Sequence, residues 1–313
     1  MRDQTVSEAA TLGYQARPSE IRRASWPRLA PWLLLTPSAV FLVGFTYWPV
    51  LRVLAGSFTV HGFGTAPHAG LSNYTRLFAD PHFFRAVTNN LVYAAGTIVP
   101  SLTLALLLAV ALRESSRFAT LLRTIIALPM LIPLVAAASL FIFIFLPGAG
   151  LLDHYLAWLG SSWNETNWLG DPSLALGSII AITVWKNTGY YMLFFLAGLA
   201  GIPEELLDAA KIDGAGAAQR FFRVTLPLLG PTLAFVLIIA SLNVLTQVDH
   251  VIVMTQGGPS DSTMLVLYYI YQQAHQNYDV GLASAATVIS VAFLFALSMI
   301  SLRSLERGIH YET

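Results

Sequence analysis

The 313-residue sequence contains no cysteine, which excludes disulfides, thiol catalysis and thiolate metal sites together. Charge is scarce as well: Asp, Glu, Lys and Arg make up 11% of the chain, where a water-soluble domain carries about a quarter. Lysine occurs only at Lys186 and Lys211, and neither follows a glycine-rich loop. The Gly-x-x-x-x-Gly-Lys-Ser/Thr cradle for nucleotide phosphates is therefore missing. No His-Glu-x-x-His pair and no Gly-x-Ser-x-Gly elbow occurs either. The chain has no sequence machinery for hydrolysing ATP, and its thin set of titratable groups offers no converging catalytic constellation.

What it has in abundance is apolar surface, with 56% hydrophobic residues and a mean hydropathy of +0.64. A bilayer core of about 30 Å asks for roughly 20 apolar residues in a helix. Six segments meet or approach that length: 31–51, 88–111, 121–146, 174–198, 231–253 and 280–301. The expected fold class is an all-α integral membrane protein with six transmembrane helices, a membrane-embedded domain covering 26–313, and the lipid bilayer as its surroundings. Several segments carry breakers, Pro37 and Pro49 in the first, Pro100 in the second, Pro129 and Pro133 in the third. Such breakers are tolerated where neighbouring helices or a cavity satisfy the released backbone groups.

The N-terminus does not read as a signal peptide. Residues 1–30 carry five arginines and no apolar core, and the first apolar run is longer than a signal's. Residues 1–25 read as a disordered cytoplasmic tail. With both termini inside, thirteen of the seventeen Lys and Arg fall in inside segments, and only Arg52, Arg76 and Arg85 fall outside. The outside loops still carry structure: 147–160 reads as a short interfacial helix, and 260–281 as a Tyr-rich helix capped by Ser or Asp.

Residues 203–227 interrupt this apolar pattern with a concentration of charge. Pro203, Glu204 and Glu205 suit the first turn of a helix, because the ring needs no N–H there and acids complement the exposed amides. Leu206, Ala209 and Ala210 share a stripe, and Asp208 and Lys211 are three apart on another. Asp213 and Gly214 make a turn, a second short helix runs from Ala215 to Val224 past Phe221 and Arg223, and Leu226-Pro227 ends it. A rigid segment of mixed charge and aromatics suits docking into a groove on another protein. An interfacial helix pair lying on lipid is the alternative.

Within the spans, polar side chains are costly unless they face a cavity or a partner. Lys186, Asn187, Tyr190 and Tyr191 in the fourth segment, and Asn243, Gln247 and Asp249 in the fifth, are candidate pathway residues. Aromatics with Asn and Lys suit sugar hydroxyls, and a lysine also suits a phosphate. Lys186 equally suits an ion pair with Asp249, and Asn243 and Gln247 equally suit bonding between helices. Asp249 and His250 are expected near the outer end, within reach of water. Asn89 and Asn90 read as structural, and Gly257, Gly258 and Pro259 as a rigid outer turn.

The segment 203–227 resembles the cytoplasmic "EAA" loop of binding-protein-dependent ABC transporter permeases. That pattern has Glu-Ala-Ala, a Gly four residues on, then an aliphatic, any residue, Leu and Pro. Asp208, Ala209, Ala210, Gly214, Val224, Leu226 and Pro227 fall in register, with Asp replacing Glu. The stretches TNWLGDPSLAL (166–176), VWKNTGYYMLFFLAGLAGIPEEL (184–206), TQGGPSDST (255–263) and LYYIYQQAH (267–275) extend the resemblance to the carbohydrate-uptake branch, and to the first permease subunit of sugar or glycerol-phosphate importers. The resemblance implies a type I importer permease fold in the prokaryotic inner membrane. It further implies a second homologous permease subunit, two cytoplasmic ATPase subunits that hold ATP and Mg, and an extracytoplasmic solute-binding protein. This chain would bind no cofactor, metal or nucleic acid. In this reading 203–227 is the coupling helix seated in an ATPase, and Gly257, Gly258 and Pro259 dock the binding protein. A membrane enzyme, or an ion-coupled or passive carrier, is the competing expectation.

Overall fold

The computed structural model describes residues 30–60, 68–114, 116–160 and 165–308; the expected tail 1–25 lies outside them. Chain contacts separate two units at Val50. In the first, α1 (Ala30–Leu42) leads through a π-helical turn at Val43–Tyr47 into α2 (Trp48–Ser57). Pro37 is accommodated inside α1, and the apolar side chains of this run are exposed, as suits a helix facing hydrocarbon.

The second unit begins within α2. After a two-residue hairpin, β1 (Thr59–Val60) with β2 (His68–Ala69), comes α3 (Ser72–Ala79). The long α4 (Pro81–Ala111) starts seven residues before the expected second span. The reason lies in Asp80-Pro81: the Asp80 carboxylate accepts from His82 N at 2.9 Å, and proline occupies the first turn where no N–H is required. Ser116 caps α5 (Arg117–Ala127) in the same way, accepting from Ala119 N at 3.0 Å.

The third expected span, 121–146, is not one helix. From α5 the chain passes through a 3₁₀ turn at Leu128–Leu131, is extended at Ile132 (φ −76°, ψ 127°), and restarts as α6 (Leu134–Ile144) with a bend of 100°. Pro133 is the cause, since its ring drives the preceding residue out of the helical region and removes a ladder donor. The short helix expected in the loop 147–160 is present as α7 (Leu151–Trp158), anchored by the buried Asp153, which accepts from Gly148 N at 2.7 Å and Trp168 Nε1 at 2.8 Å.

The uninterrupted α8 (Ala175–Ala200) contains no proline and packs along α4. Two of its contacts bring backbones close: a Cβ on Gly96 would stand 2.8 Å from Ile180, and one on Gly189 would stand 2.0 Å from the Ile126 carbonyl oxygen. The loop that follows holds α9 (Glu204–Ile212) and α10 (Ala217–Arg220). The helix does not end at Leu226-Pro227 as expected; a π turn at Phe221–Thr225 carries it into α11 (Leu226–Leu228), then α12 (Gly230–Thr246) and, past an extended Gln247, α13 (Asp249–Met254).

The expected Tyr-rich helix is α14 (Val266–Tyr271), continued by a π turn at Gln272–Gln276, and α15 (Val280–Gly308) closes the order. The expected Ser or Asp cap is absent from α14, whose N-cap is Leu265; Asn90 Oδ1 instead accepts from Val266 N at 3.3 Å. Among the described residues four helices are long and apolar enough to cross a membrane: Trp32–Ser57, Pro81–Ala111, Ala175–Ala200 and Gly230–Met254. The bent pair α5/α6 makes a fifth if both arms count as one span, and the apolar stretch of α15, Val280–Ala296, falls short of that length. The fold is all-α and multi-span; among the described residues four to five helices qualify as candidate spans by length and composition, against the six expected.

Two buried clusters hold the second unit together. One gathers Tyr93, Ile179, Val251, Tyr268 and Tyr269 towards the α14 end; the other gathers Ala105, Tyr191, Phe195, Leu229 and Val236 towards α9. Ala and Gly at the α4/α8 contact let these helices approach closely, the usual device where no hydrophobic effect drives helices together in lipid.

Candidate functional site

Three places concentrate polar chemistry. The first is the loop 203–227. Residues of α9 are all exposed or half-buried, with Ile212 86% exposed. Its inward residue is Leu207, which packs on the lower cluster, whereas Leu206 of the expected stripe is exposed. Asp208 and Lys211 pair at 2.7 Å, and that hydrogen bond and charge hold the Asp208 carboxyl below its ordinary range. Gly214 turns the chain with φ +79° and open space around its missing Cβ, so its role is conformational. Glu204, Glu205, Ala209, Asp213, Arg223 and Pro227 are all exposed, Ala210, Phe221 and Leu226 half-buried. Phe221 meets Phe222 edge to face with ring centres 5.0 Å apart, and Phe222 is exposed. A largely exposed surface of apolar, charged and aromatic side chains thus follows the end of α8.

The second place is the interior between α4, α8 and α12. Lys186 is buried, and its ammonium donates to the carbonyls of Pro129 at 3.2 Å, Met130 at 3.4 Å and Ile132. These carbonyls are the ones that the break in the third span releases. The expected ion pair with Asp249 is not formed: Asp249 is exposed, and Lys186 is occupied at the bend. His250 does not meet water; it is fully buried, its Nε2 lying 3.0 Å from Tyr93 Oη, which also bonds Thr183 Oγ1 at 2.9 Å. Tyr191 Oη accepts from Asn243 Nδ2 at 3.2 Å.

These bonds connect three helical stripes: Tyr93, Thr97 and Ser101 on α4; Thr183, Asn187 and Tyr191 on α8; Asn243, Gln247 and His250 from α12 to α13. Asn187 Nδ2, Gln247 Oε1, Thr97 Oγ1, Ser101 Oγ and His250 Nδ1 are buried without a partner among the described residues. Tyr190 is half-buried and stacks edge to face on Phe194. Trp185 packs on Phe141 at 5.1 Å. Sequence reasoning missed Tyr93, Thr97 and Thr183. Their spacing of four, within segments already identified as apolar, was the signal that could have found them.

The third place is the outer turn. Gly257 is buried with φ +80°, and a Cβ there would stand 2.6 Å from the Tyr268 ring, so the position requires glycine. Thr263 Oγ1 donates to Gly258 O at 2.7 Å, and Pro259 and Gly258 are half-buried. Asn89 Nδ2 donates to Asp261 O at 2.7 Å and Met264 O at 3.0 Å, fastening the turn to α4. Arg76 bridges to Asp279, and Tyr269 Oη donates to Asp80 at 2.6 Å. Burial and the Asp80 carboxylate both push the Tyr269 phenol up. Among the described residues no three His, Asp or Glu side chains converge as metal ligands.

The solved structures similar in fold include a chain of a bacterial ABC transporter involved in the import of the acidic polysaccharide alginate. It superimposes with a TM-score of 0.78 at 24% identity, over 88% of this chain and 95% of that one. A second, of the alginate transporter in complex with an alginate pentasaccharide-bound periplasmic protein, gives a TM-score of 0.76 over 87% of this chain. Among curated relatives, the sn-glycerol-3-phosphate transport system permease protein UgpA of Yersinia pestis is 35% identical over 285 residues, 90% of this chain and 96% of the relative. UgpA of Brucella abortus is 32% identical over 295 residues, and the probable ABC transporter permease protein YurN of Bacillus subtilis 33% over 286. Residues 101–311 match the family described as binding-protein-dependent transport system inner membrane component. With bent and straight apolar helices, a charged loop projecting from one end and no nucleotide cradle of its own, the chain belongs to that family, as a permease of the ABC importer type I fold.

Proposed function

We propose that this chain is the transmembrane permease subunit of an ATP-driven importer that moves a sugar, polyol or glycerol-3-phosphate-like solute inward by alternating access. A second homologous permease subunit completes the path, two cytoplasmic ATPase subunits supply the energy with ATP and Mg, and an extracytoplasmic binding protein delivers the solute at the outer side. The membrane is the prokaryotic inner membrane, with both termini in the cytoplasm.

The observation that carries this reading is the loop 203–227: of the seven positions in the register of the permease loop, Asp208, Ala209, Ala210 and Gly214 stand exposed or half-buried on α9 and the glycine turn that ends it. In this reading α9 and the turn at Gly214 seat in an ATPase, and its movement reaches the spans through Leu207 and the α8 end. Tyr190, Asn243 and Gln247, half-buried in the isolated chain, face the solute, while Lys186, Asn187 and Tyr191 organise the helices behind them. The outer turn at Gly258 and Pro259 meets the binding protein.

The test is reconstitution of the complete complex with the Gly214→Val and Asp208→Lys variants. A branched side chain held at positive φ is strained by about 1–2 kcal/mol, and the reversed charge repels Lys211. Both variants are expected to lower co-purification of the ATPase and solute-stimulated hydrolysis by about tenfold while the chain itself still folds. Unchanged hydrolysis in both would remove the coupling role.

A further inference from the structure

The end of the bundle that carries 203–227 contains a cavity of about 270 Å³ whose polar lining is strongly positive. Arg113, just past the end of α4, Lys211 on α9 and Arg220 on α10 all border it, and no acid lines it. Leu199 and Leu207 form an apolar wall and Thr225 adds a buried hydroxyl. In a chain of zero net charge and only 17 Lys and Arg, three around one opening is a local excess. A low-dielectric wall beside like charges concentrates their field on the cavity.

These cations are not consumed by their own chain. Lys211 is shared with Asp208, which stands outside the lining and cancels one charge. Arg220 uses Nη1 on Ala215 O at 3.0 Å, a neutral acceptor that leaves its charge uncompensated. Arg113 makes no side-chain hydrogen bond or ion pair among the described residues and is only half-exposed. Two guanidinium groups therefore remain at a half-enclosed site with no ion-pair partner among the described residues, free to take an anion. The forked donors of arginine match the oxygens of a phosphate group. The depth fits as well, because Leu199 stands at the last turn of the spanning α8, where a bilayer changes from hydrocarbon to phosphodiester, and basic pockets between spans at that level hold lipid head groups. At about 30 Å³ per water, the cavity exceeds what a bare ion needs.

We infer that Arg113, Lys211 and Arg220 form a binding site for a phosphate-type oxyanion behind the loop 203–227, supplied either by an anionic phospholipid head group or by free phosphate. The site adjoins the surface that α9 presents outward, sharing Lys211 with it, and its occupant stiffens the joint between that loop and the ends of α4 and α8.

The experiment uses the purified full chain without partners, so its outcome is independent of the coupling role. In neutral detergent, thermal midpoints and calorimetric titration compare inorganic phosphate with chloride at matched ionic strength. In nanodiscs, phosphatidylcholine alone is compared with phosphatidylcholine plus cardiolipin, and bound lipid is counted by native mass spectrometry. Arg113→Gln and Arg113→Gln/Arg220→Gln are set against Arg85→Gln, an exposed arginine on α4 far along the chain from the cavity. Either probe is expected to stabilise the wild type and Arg85→Gln, and to bind Arg113→Gln about tenfold more weakly, as loss of one charged hydrogen bond implies. A response to phosphate alone names the free anion, and one to cardiolipin alone names the head group. Failure of both probes on the wild type, or equal binding by Arg113→Gln, overturns the site; because the Arg113 side chain holds nothing in the fold, that variant remains informative if the double one misfolds.

Discussion

At the scale of single residues, the strongest constraints are a lysine and a glycine one turn apart on α8. Lys186 holds the three carbonyls freed at Pro129–Ile132, and Gly189 lets the same helix touch the Ile126 backbone. Lys186→Met removes the ammonium donor from the Met130 and Ile132 carbonyls, while Pro129 O keeps Ile132 N at 3.2 Å, and a charged hydrogen bond is worth about 2 kcal/mol. The expected result is a clear fall in the thermal midpoint in detergent; an unchanged midpoint would show that water already serves the carbonyls. Gly189→Ala is expected to cost about 1–3 kcal/mol by overpacking, and the same melting curve reads it. Asp208 carries a pH dependence with a definite sign. Its carboxyl is held below the ordinary value, so its pairing with Lys211 is complete above about pH 4 and is lost as pH falls further. Amide exchange along α9, corrected for intrinsic rate, should rise only in that acid range, and Asp208→Asn should abolish the step.

At the scale of elements, polar residues cross-link α4, α8 and α12 through stripes of spacing four. Tyr93→Phe removes both bonds at once and leaves the buried His250 with no hydrogen-bond partner among the described residues, while Thr183 keeps its bond to Ile179 O at 3.0 Å. A loss of about 1–3 kcal/mol is expected, larger than for Tyr190→Phe, whose hydroxyl is half-exposed; equal losses would contradict the arrangement. How far the sequence reveals these elements depends on the kind of signal. Apolar length located α4, α8 and α12, because hydrophobic runs depend on local composition alone. The turn at Gly214 was legible because positive φ is a property of one residue. The bend at Pro133 was readable as a breaker but not as 100°, since the angle follows from what α8 offers the freed carbonyls. That Lys186 meets backbone carbonyls, and not Asp249 as one open alternative had it, was hidden for the same reason: backbone acceptors carry no sequence signature. The cap of α14 by Asn90 joins positions far apart in the chain, and no local pattern announces such a contact.

At the scale of the whole molecule, the distribution of bases predicts an orientation that the absence of cysteine makes simple to check. Ile212→Cys and Tyr278→Cys place a single thiol at sites 86% and 82% exposed. A membrane-impermeant maleimide added outside intact cells should label the second and spare the first, and the reverse pattern would invert the topology. The bend held by Lys186 bears also on how the protein is made. A lysine at the middle of an inserting helix opposes entry into lipid by roughly 2.5–3.5 kcal/mol. Its acceptors belong to residues 129–132, which leave the ribosome more than forty residues earlier. The segment 175–200 therefore finds a dock for its ammonium only where residues 129–132 have already bent at Pro133, and straightening that kink is expected to leave the next helix poorly inserted.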